Sequence, residues 1–412
     1  MPPARPATRR IIFVNRFFYP DHSATSQILS DLAFHLAANG QSVRVVTSHQ
    51  RYDDSNARLP EMESVHGVAI HRLSTTSFGR AALFSRGFDY LSFYASAWRS
   101  VLRLTNTGDI VVAMTDPPLL SIPAVQAARR RGLRLVNWLQ DLYPEVAAQL
   151  GVPFAKGMIG RGLSQLRDST LRAAAANVVV SERMGEIVRS RGIAAELIHV
   201  IPNWCADEEI HPVPPAQNPL RREWGLEDRF VIGYSGNLGR AHEFETVLAA
   251  AERLRDDPLT VFLFIGGGSN FVELARRVRE RNLDPLFRFL PYQDRGRLKY
   301  SLSVPDVHWI SVRPEVEGLV FPSKFYGIAA AGRAMVAIAK SGGEIARLVQ
   351  DRGCGLVVEP GDGPALAEAL RRLRADPAVV AEMGRCARAM LDTHFTRRAA
   401  FASWESLFKA IA

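Results

Sequence analysis

The sequence predicts an α/β protein built on two mostly parallel β-sheets, one in each half of the chain. Short runs of β-branched and other apolar residues alternate with segments whose apolar residues recur every three or four positions, and this alternation is typical of βαβ units. The chain contains 412 residues, which is long for one hydrophobic core, so two domains of roughly 200 residues are expected. The composition, 47% hydrophobic and 23% charged, is that of an ordinary globular protein.

The first half carries a series of predicted strands separated by helical segments. Apolar residues lie at helical spacing over residues 24–38, and Gly40 follows at a position where helices commonly end. The polar loop FFYPDHSATSQ would lie at the carboxyl end of the sheet, where open α/β sheets bind ligands. The predicted strands are 11–15, 42–47, 68–73, 109–115, 133–139, 177–181 and 197–201.

The second half repeats this plan, with predicted strands FVIGYSG, TVFLFIGGG, FRFLPYQ, DVHWISV, AMVAIAK and CGLVVEPG. Residues 204–229 are rich in proline and weakly periodic, which is typical of a linker. The predicted domains are therefore 1–203 and 230–395. No strand follows the helical C-terminal region, so we expect the last helix, 396–412, to cross back onto the first domain.

The positive charge is concentrated in the first half. The chain has a net charge of +9, and residues 1–200 carry 23 basic and 15 acidic residues, an excess of +8. Such asymmetry predicts an anionic partner for this half, such as lipid headgroups, a phosphorylated acceptor or nucleic acid. Because no nucleic-acid-binding motif accompanies the charge, nucleic acid is disfavoured.

Residues 80–103 mix aromatic and basic residues at helical spacing. Two interpretations stay open: a helix lying in a membrane interface, or a core helix whose arginines extend to solvent. The charge of this half favours weak contact with a membrane surface through residues 80–103.

The location of the protein is also predicted. No apolar stretch approaches the ~20 residues that cross a bilayer, and the basic N-terminus lacks the apolar region of a signal peptide. The three cysteines, Cys205, Cys354 and Cys386, are far apart and lack a CxxC pair. We therefore expect a cytoplasmic protein, peripheral on the inner face of the plasma membrane, without a disulfide or a bound metal.

Two glycine-rich turns follow predicted strands of the second half. In YSGNLGRAHEFE, Gly236 and Gly239 would let backbone N–H groups approach phosphate oxygens before a helix that starts near His242, and Arg240 adds a fork of donors. The alternative is an ordinary tight turn. The second turn, FIGGGSN, is not the GxGxxG fingerprint of dinucleotide-binding proteins, which disfavours nicotinamide or flavin binding.

The segment RPEVEGLVFPSKFYGIAAAG is the most specific part of the sequence. Gly318 and Leu319 open a loop, and Pro322 suits the first turn of a helix. Ser323 and Lys324 then stand where that helix presents free backbone N–H groups. A hydroxyl, an ammonium group and these N–H groups together would suit a diphosphate.

The ordered set of motifs resembles the retaining GT-B glycosyltransferases of family 4, above all the branch that builds bacterial polysaccharides such as colanic acid. The resemblance spans nearly the whole chain and depends on FFYPDHSATSQ, WLQDLYPE, YSGNLGRAHEFE, FIGGGS, PEVEGLVFPSKFYGIAAAG and SGGEIARLV. It implies two Rossmann-like domains facing across a cleft, with a nucleotide-diphosphate sugar mainly on the second domain and the acceptor mainly on the first.

The resemblance also implies roles for individual residues, and WLQDLYPE separately places Gln140, Asp141 and Glu145 at the mouth of the first sheet, where an acceptor hydroxyl would arrive. The catalytic set is Arg240, Lys324, Glu317 and Asp141. The donor-binding set is Gly236, Asn237, Gly266, Gly267, Pro291, Tyr292, Ser323, Gly318, Leu319 and Glu344. On the acceptor side lie Ser23, Ala24, Thr25, Gln140 and Glu145. One departure concerns Gly327, which stands where family members commonly place a glutamate that holds the nucleotide ribose.

Several of these residues have an alternative, purely structural interpretation. Arg240 has the alternative of a solvated surface arginine. Glu317 could instead cap the helix or pair with Arg313. Asp141 could instead cap the helix after Pro144. His22 and His242 are expected to be polar loop residues without a catalytic role.

The chemistry implied by the resemblance needs no protein nucleophile, no cofactor and no metal. The leaving diphosphate takes the acceptor proton, while the protein supplies positive charge and geometry. The implied partners are a nucleotide-sugar donor and a lipid-linked or saccharide acceptor of cell-surface polysaccharide synthesis. The rival functions are a nucleotide-sugar epimerase or hydrolase on the same fold, and a non-catalytic scaffold of a polysaccharide complex.

Overall fold

The computed structural model describes residues 9–52, 54, 57–76 and 83–412. The chain forms two compact units. The first unit extends to Pro202 and also includes the C-terminal segment Ala400–Ala412. The second unit is Asn203–Ala399. Each unit is a Rossmann-like parallel sheet with helices packed against it, as the sequence predicts.

The first unit contains a sheet with the strand order β3-β4-β2-β1-β5-β6-β7-β8. All neighbouring strands pair in parallel except β3 and β4. The elements are β1 Arg10–Val14, α1 Ala24–Ala38, β2 Ser42–Ser48, β3 Met62–Val65, β4 Val68–Leu73, α2 Leu83–Leu104, β5 Ile110–Ala113, α3 Ser121–Arg131, β6 Arg134–Leu139, α4 Glu145–Gln149, α5 Gly157–Ala173, β7 Ala176–Val179, α6 Glu182–Ser190 and β8 Ile198–Val200.

The edge strand β3 is not among the strands predicted from the sequence. It is four residues long, and its side chains alternate between exposed and half-buried, so it shows no apolar run. The signal that was available is the His66–Gly67 pair, whose φ angles of 47° and 81° suit the tight turn of a hairpin.

The second unit contains a parallel sheet with the order β11-β10-β9-β12-β13-β14. The elements of this unit are α7 Pro219–Glu223, β9 Phe230–Asn237, α8 Glu245–Arg253, β10 Thr260–Gly267, α9 Phe271–Glu280, β11 Phe287–Leu290, α10 Leu298–Ser303, β12 Val307–Ser311, α11 Lys324–Ala330, β13 Ala334–Ile338, α12 Glu344–Asp351, β14 Gly355–Val358, α13 Gly363–Ala375 and α14 Pro377–His394. The helix predicted to begin near His242 begins three residues later, at Glu245, because residues 240–241 form a turn.

Residues 204–229, predicted as a linker, lie within the second unit and contribute to its core. Trp204, Ile210, Val213, Leu220 and Leu226 are buried. The Arg221 guanidinium is buried as well and pairs with Asp306 at 2.8 Å. The prolines therefore shape a packed segment rather than a free connection.

The last helix, α15 Arg397–Ile411, packs on the sheet of the first unit. Trp404 is fully buried against Trp138 of β6, with ring centroids 4.6 Å apart, and Phe408 lies edge-on to Phe13 of β1. The prediction that this helix crosses back to the first domain is confirmed, since an apolar stripe without a following strand has to find an existing sheet to cover.

Helix α2 has one face in the core and another in solvent. Phe93, Ala97 and Val101 are buried, whereas Phe88 and Leu91 are 64% and 62% exposed. Residues 80–82 of the predicted membrane segment lie outside the described residues. Among the helices that the structure describes, none is both long and apolar enough to span a membrane.

Candidate functional site

Two glycine-rich loops of the second unit, 236–239 and 266–268, lie in direct backbone contact. The Leu238 N–H donates to the Gly267 carbonyl at 2.7 Å. A Cβ on Gly266, whose φ is 134°, would stand 2.3 Å from the Gly236 carbonyl oxygen. A Cβ on Gly268 would stand 2.3 Å from the Asn237 amide oxygen. The glycines are therefore needed for the loops to approach each other.

Asn270 binds the first loop and the turn after it through three hydrogen bonds, and it is not among the predicted site residues. Its side-chain amide donates to the carbonyls of Gly239 and His242, at 3.2 and 3.3 Å. Its backbone N–H donates to the Leu238 carbonyl at 2.9 Å. The available signal was an asparagine directly after GGGS, where its amide can satisfy loop carbonyls.

Lys324 lies beside the first glycine loop. Its Nζ is 4.9 Å from the centroid of the Tyr234 ring and 3.2 Å from His242 Nε2. A Cβ on Gly236 would come within 3.3 Å of Lys324 Cε, so the glycine leaves room for the lysine stem. Burial lowers the pKa of Lys324 to about 7. Among the described residues, no carboxylate pairs with this amine.

His242 holds the lysine through a defined tautomer. Its Nδ1 is 2.7 Å from the Ser311 carbonyl oxygen, which can only accept, so Nδ1 carries the proton and Nε2 offers a lone pair to Lys324. Burial, followed by the Lys324 charge, lowers the pKa of His242 to about 3. The expectation of a polar loop histidine therefore overlooked a contact between two residues 82 positions apart.

The Tyr234 ring contacts both Lys324 and His242. Its hydroxyl donates to the Asn237 carbonyl at 2.9 Å, and its ring stacks on Phe264 at 4.6 Å. Trp309 lies against the same ring at 4.5 Å. An aromatic face offers a cation partial negative charge without neutralising it. The amine therefore keeps its capacity to attract an anion.

Ser323 precedes α11 and makes no side-chain capping bond within the described residues. It is adjacent in sequence to Lys324, so the predicted pair lies together at the start of this seven-residue helix. Gly327 is half-buried, and a Cβ there would meet only the Leu302 side chain, at 3.4 Å. The helix itself therefore tolerates more than glycine at 327, and nothing in its packing requires that residue.

Glu317 lies in the loop before α11 but caps a different helix. Its Oε1 accepts the Glu344 N–H, the first of α12, at 2.7 Å. It forms no ion pair with Arg313 among the described residues. The loop follows Gly318, whose φ of 74° favours glycine, and Leu319 is buried below it. Glu317, from the predicted catalytic set, and Glu344, from the predicted donor-binding set, are thus joined by a hydrogen bond.

The other predicted residues of this unit lie at its surface. Tyr292 is 59% exposed, and its ring would meet a Cβ on Gly267 at 3.3 Å, which places it against the second glycine loop. Pro291 is exposed next to it, and Asn237 is exposed at the end of β9. Arg240 is exposed in the turn after Gly239, and this turn is fixed by the Arg313 N–H bond to the Ala241 carbonyl at 3.0 Å.

In the first unit, Asp141 follows β6 at the carboxyl edge of the sheet. Burial, and to a lesser extent the charge of Asp116, raise the pKa of Asp141 to about 7. It does not cap α4, whose N-cap is Pro144 and which has no side-chain cap among the described residues. A cavity of about 20 Å³, large enough for a water molecule only, lies beside it and beside Asn137.

The remaining acceptor-side residues divide into two groups. Ser23 precedes α1, where its N–H donates to Asp21 Oδ1 at 2.7 Å, and Ala24 and Thr25 form the first turn. Gln140 is buried directly before Asp141. Glu145 is instead held by Arg167 at 2.7 Å and by Arg191 at 3.1 Å, so the structure places it in an ion-pair network.

Comparison with known families accounts for both units. A family model described as "Glycosyl transferase 4-like domain" matches residues 24–204, and a second, "Glycosyl transferases group 1", matches residues 217–390. The chain belongs to the GT-B glycosyltransferases. The resemblance noted in its motifs is confirmed.

Two curated relatives of this glycosyltransferase come from bacteria. WcaI of Escherichia coli K12, named as a colanic acid biosynthesis glycosyl transferase, is 27% identical over 368 residues, 86% of this chain and 89% of the relative. WbjE of Pseudomonas aeruginosa, named as a glycosyltransferase, is 27% identical over 264 residues, 63% of this chain and 64% of the relative.

Solved structures share the fold of this glycosyltransferase. Sucrose-phosphate synthase from Thermosynechococcus elongatus has a TM-score of 0.80 at 19% identity, covering 98% of this chain and 99% of its own. Anabaena HepE in complex with UDP-glucose has a TM-score of 0.73 at 18% identity, covering 97% of this chain and 99% of its own. At this identity the likeness establishes the fold alone.

The packing of the two glycine loops generates a prediction. Gly266→Ala should destabilise the second unit by about 1–3 kcal/mol, because its Cβ would clash with the Gly236 carbonyl and its φ is unfavourable for alanine. The melting temperature should fall by roughly 3–10 °C. The matched control is Gly239→Ala, whose Cβ would have its nearest neighbour at an ordinary 3.6 Å. Equal melting of the two variants would contradict the loop packing.

Proposed function

We propose that this glycosyltransferase transfers a sugar from a nucleotide-diphosphate sugar to a lipid-linked or saccharide acceptor, with retention of the anomeric configuration, in the synthesis of a cell-surface polysaccharide. The reaction uses the nucleotide sugar as substrate and requires no metal. The proposal draws on the relative named for colanic acid biosynthesis and on the fold neighbour solved with UDP-glucose.

One observation carries the proposal: the Lys324 amine is partly buried with no carboxylate partner among the described residues. Its neighbours are a neutral histidine and an aromatic face. A buried cation normally has an anionic partner, since desolvation of a lone charge is costly. A partly buried amine without an anionic partner marks a place for an anion. The adjoining glycine loops leave backbone room for phosphate oxygens.

The chemistry assigned to this arrangement is stabilisation of a leaving diphosphate. The bond between the sugar C1 and the phosphate oxygen breaks, and the acceptor oxygen forms its bond to C1 on the same face. The acceptor proton passes to the leaving phosphate, which becomes the nucleoside diphosphate. Lys324 and Arg240 supply positive charge to that phosphate, and Glu317 and Glu344 bind the donor sugar.

On the first unit we assign Asp141, Gln140 and Ser23–Thr25 to the acceptor side. A carboxyl with a pKa near 7 can accept or donate a hydrogen bond at neutral pH, which suits the orientation of a hydroxyl. Glu145 is left out of this group, because its carboxylate already binds two arginines.

Removal of the positive groups tests the proposal. The donor is first identified by thermal-shift screening against UDP-, GDP- and dTDP-sugars, since a ligand that binds only the native state raises the melting temperature. Lys324→Ala and Arg240→Ala should then lower kcat at least ~100-fold without changing the melting temperature. Exposed Lys340→Ala and Arg279→Ala are the matched controls and should retain activity.

The products separate this proposal from its rivals. With donor alone, a transferase gives slow release of nucleoside diphosphate and no epimer. Rapid hydrolysis or epimer formation would indicate a hydrolase or an epimerase instead. Tight donor binding without transfer to any acceptor would indicate a non-catalytic scaffold. Wild-type rates in Lys324→Ala and Arg240→Ala would remove the assignment of the leaving-group residues.

Donor affinity should depend on pH through Lys324. The amine has a pKa of about 7 in the free protein, and an anion stabilises its protonated form. Affinity for the nucleotide sugar should therefore be constant below pH 7 and fall roughly tenfold per unit as the pH rises above it. The pyrophosphate diester of a nucleotide sugar does not titrate in this range. Isothermal titration should show proton uptake on binding above pH 7, and Lys324→Met should abolish both effects.

His242 should act as a positioning residue for Lys324. His242→Ala removes the acceptor at Nε2, so donor affinity should fall roughly fivefold, the value of one hydrogen bond. The midpoint of the pH profile should also shift to lower pH, because the protonated amine loses a partner. His242→Gln retains an acceptor near Nε2 and should restore affinity to within about twofold. Exposed His211→Ala is the control, and an unchanged midpoint in His242→Ala would contradict this role.

A further inference from the structure

The outer surface of three helices in the first unit combines exposed apolar side chains with unopposed positive charge. Helix α3 packs between α2 and α5, so the three form one layer. We propose that this helix layer docks on an anionic lipid bilayer.

The apolar part of the layer is unusually exposed. On α5, Met158 is 85% exposed, Ile159 65% and Leu166 45%. On α2, Phe88 and Leu91 are 64% and 62% exposed. Isolated exposed apolar residues are common, but most of the large ones in the first unit's described residues gather on this layer and the turn before α5.

The turn before α5 adds Phe154, which is 52% exposed. This turn, Pro153–Ala155, is fixed to the helix, because Gly160 has no Cβ and the Ala155 carbonyl oxygen occupies that space. Phe154 is therefore presented outward from a packed turn next to Met158 and Ile159. The packing of this turn therefore sets the outward orientation of Phe154.

The charge of the layer is of one sign. Arg99 and Arg103 on α2, Arg129 to Arg131 on α3, and Arg161 and Arg172 on α5 are exposed. The described residues of the three helices include two acids, Asp89 and Asp168, and both are buried. Much of the +8 excess of the first half therefore lies on this one surface. Exposed positive charge and exposed apolar side chains on the same helix layer together complement anionic headgroups above acyl chains.

The direction of the helices orients the layer. Each of the three helices connects two parallel strands, so each runs from the carboxyl edge of the sheet back to the amino edge. Phe88, Leu91, Phe154, Met158 and Ile159 lie toward the helix starts, and hence toward the edge that carries Asp141. If the proposed function holds, an acceptor held by its lipid would reach that edge from the bilayer.

This surface differs from the segment that the sequence predicted. The described part of residues 80–103 contributes Phe88, Leu91, Arg99 and Arg103, while most of its remaining apolar residues are in or against the core. The larger share comes from α3 and from residues 154–172. Periodicity in one segment could not reveal a face that three separate segments form together.

Vesicle co-sedimentation tests the proposal without any sugar donor, so its failure is independent of the proposed function. The full chain is mixed with vesicles of equimolar phosphatidylglycerol and phosphatidylcholine, or of phosphatidylcholine alone. Binding should favour the anionic vesicles at least ~10-fold and weaken as salt is raised. Absence of binding to the anionic vesicles at low salt would overturn the proposal.

Matched variants locate the contact. Met158→Ser with Ile159→Ser should weaken binding at least ~10-fold, because two apolar side chains no longer insert. Val272→Ser with Val379→Ser removes exposed apolar residues from the second unit and should leave binding unchanged. Arg99, Arg129 and Arg161 changed together to Gln should weaken it roughly 100-fold, whereas Arg279, Arg288 and Arg352 changed together to Gln should not.

Two further results would overturn the proposal. One is an equal loss of binding in the test and control variants, which would indicate non-specific adsorption. The other is a stable dimer that dissociates in the Met158→Ser, Ile159→Ser variant without any vesicle binding by the monomer, which would assign the surface to a second copy. Unchanged melting temperatures would show that the variants fold.

Discussion

The partly buried Lys324 amine is the group on which the chemistry proposed for the second unit depends. It contacts a tyrosine ring and the lone pair of a neutral histidine, and no carboxylate neutralises it among the described residues. Each neighbour is itself fixed: Tyr234 by Asn237, Phe264 and Trp309, and His242 by the Ser311 carbonyl. Burial thus lowers the pKa of the Lys324 amine, and an anion that binds beside the amine would raise this pKa again.

The glycine loops make this placement possible. β9 and β10 are neighbouring strands, and the loops that follow them would collide if the second loop carried a side chain at Gly266 or Gly268. With glycine there, the first loop lies against the second, and the Asn270 side-chain amide donates to the Gly239 carbonyl. The absence of a Cβ at Gly236 leaves room for the Lys324 stem, since such a Cβ would come within 3.3 Å of Lys324 Cε. The glycines are therefore required for the two loops to pack together. As a consequence, no side chain from these glycines covers the backbone next to the Lys324 amine.

The first unit separates its charges. Carboxyl groups such as Asp116 and Asp141 lie at the carboxyl edge of the sheet, where burial raises the pKa of Asp141. Arginines cover the outer surface of α2, α3 and α5, whose acids are buried. The acidic groups and the exposed basic groups of this unit therefore lie on different parts of it.

The sequence alone determined the α/β class, the two sheets and the returning last helix, because β-strand and helix periodicity and the stop signals are local properties. It also placed the glycine loops and Lys324 together through motif order. The tertiary structure decided what depends on distant residues: the His242–Lys324 contact, Glu317 capping α12, Glu145 in an ion-pair network, and residues 204–229 inside a core. Edge strand β3 escaped prediction because its half-exposed residues form no apolar run, and the basic apolar face of α2, α3 and α5 escaped because it exists only after three segments pack side by side.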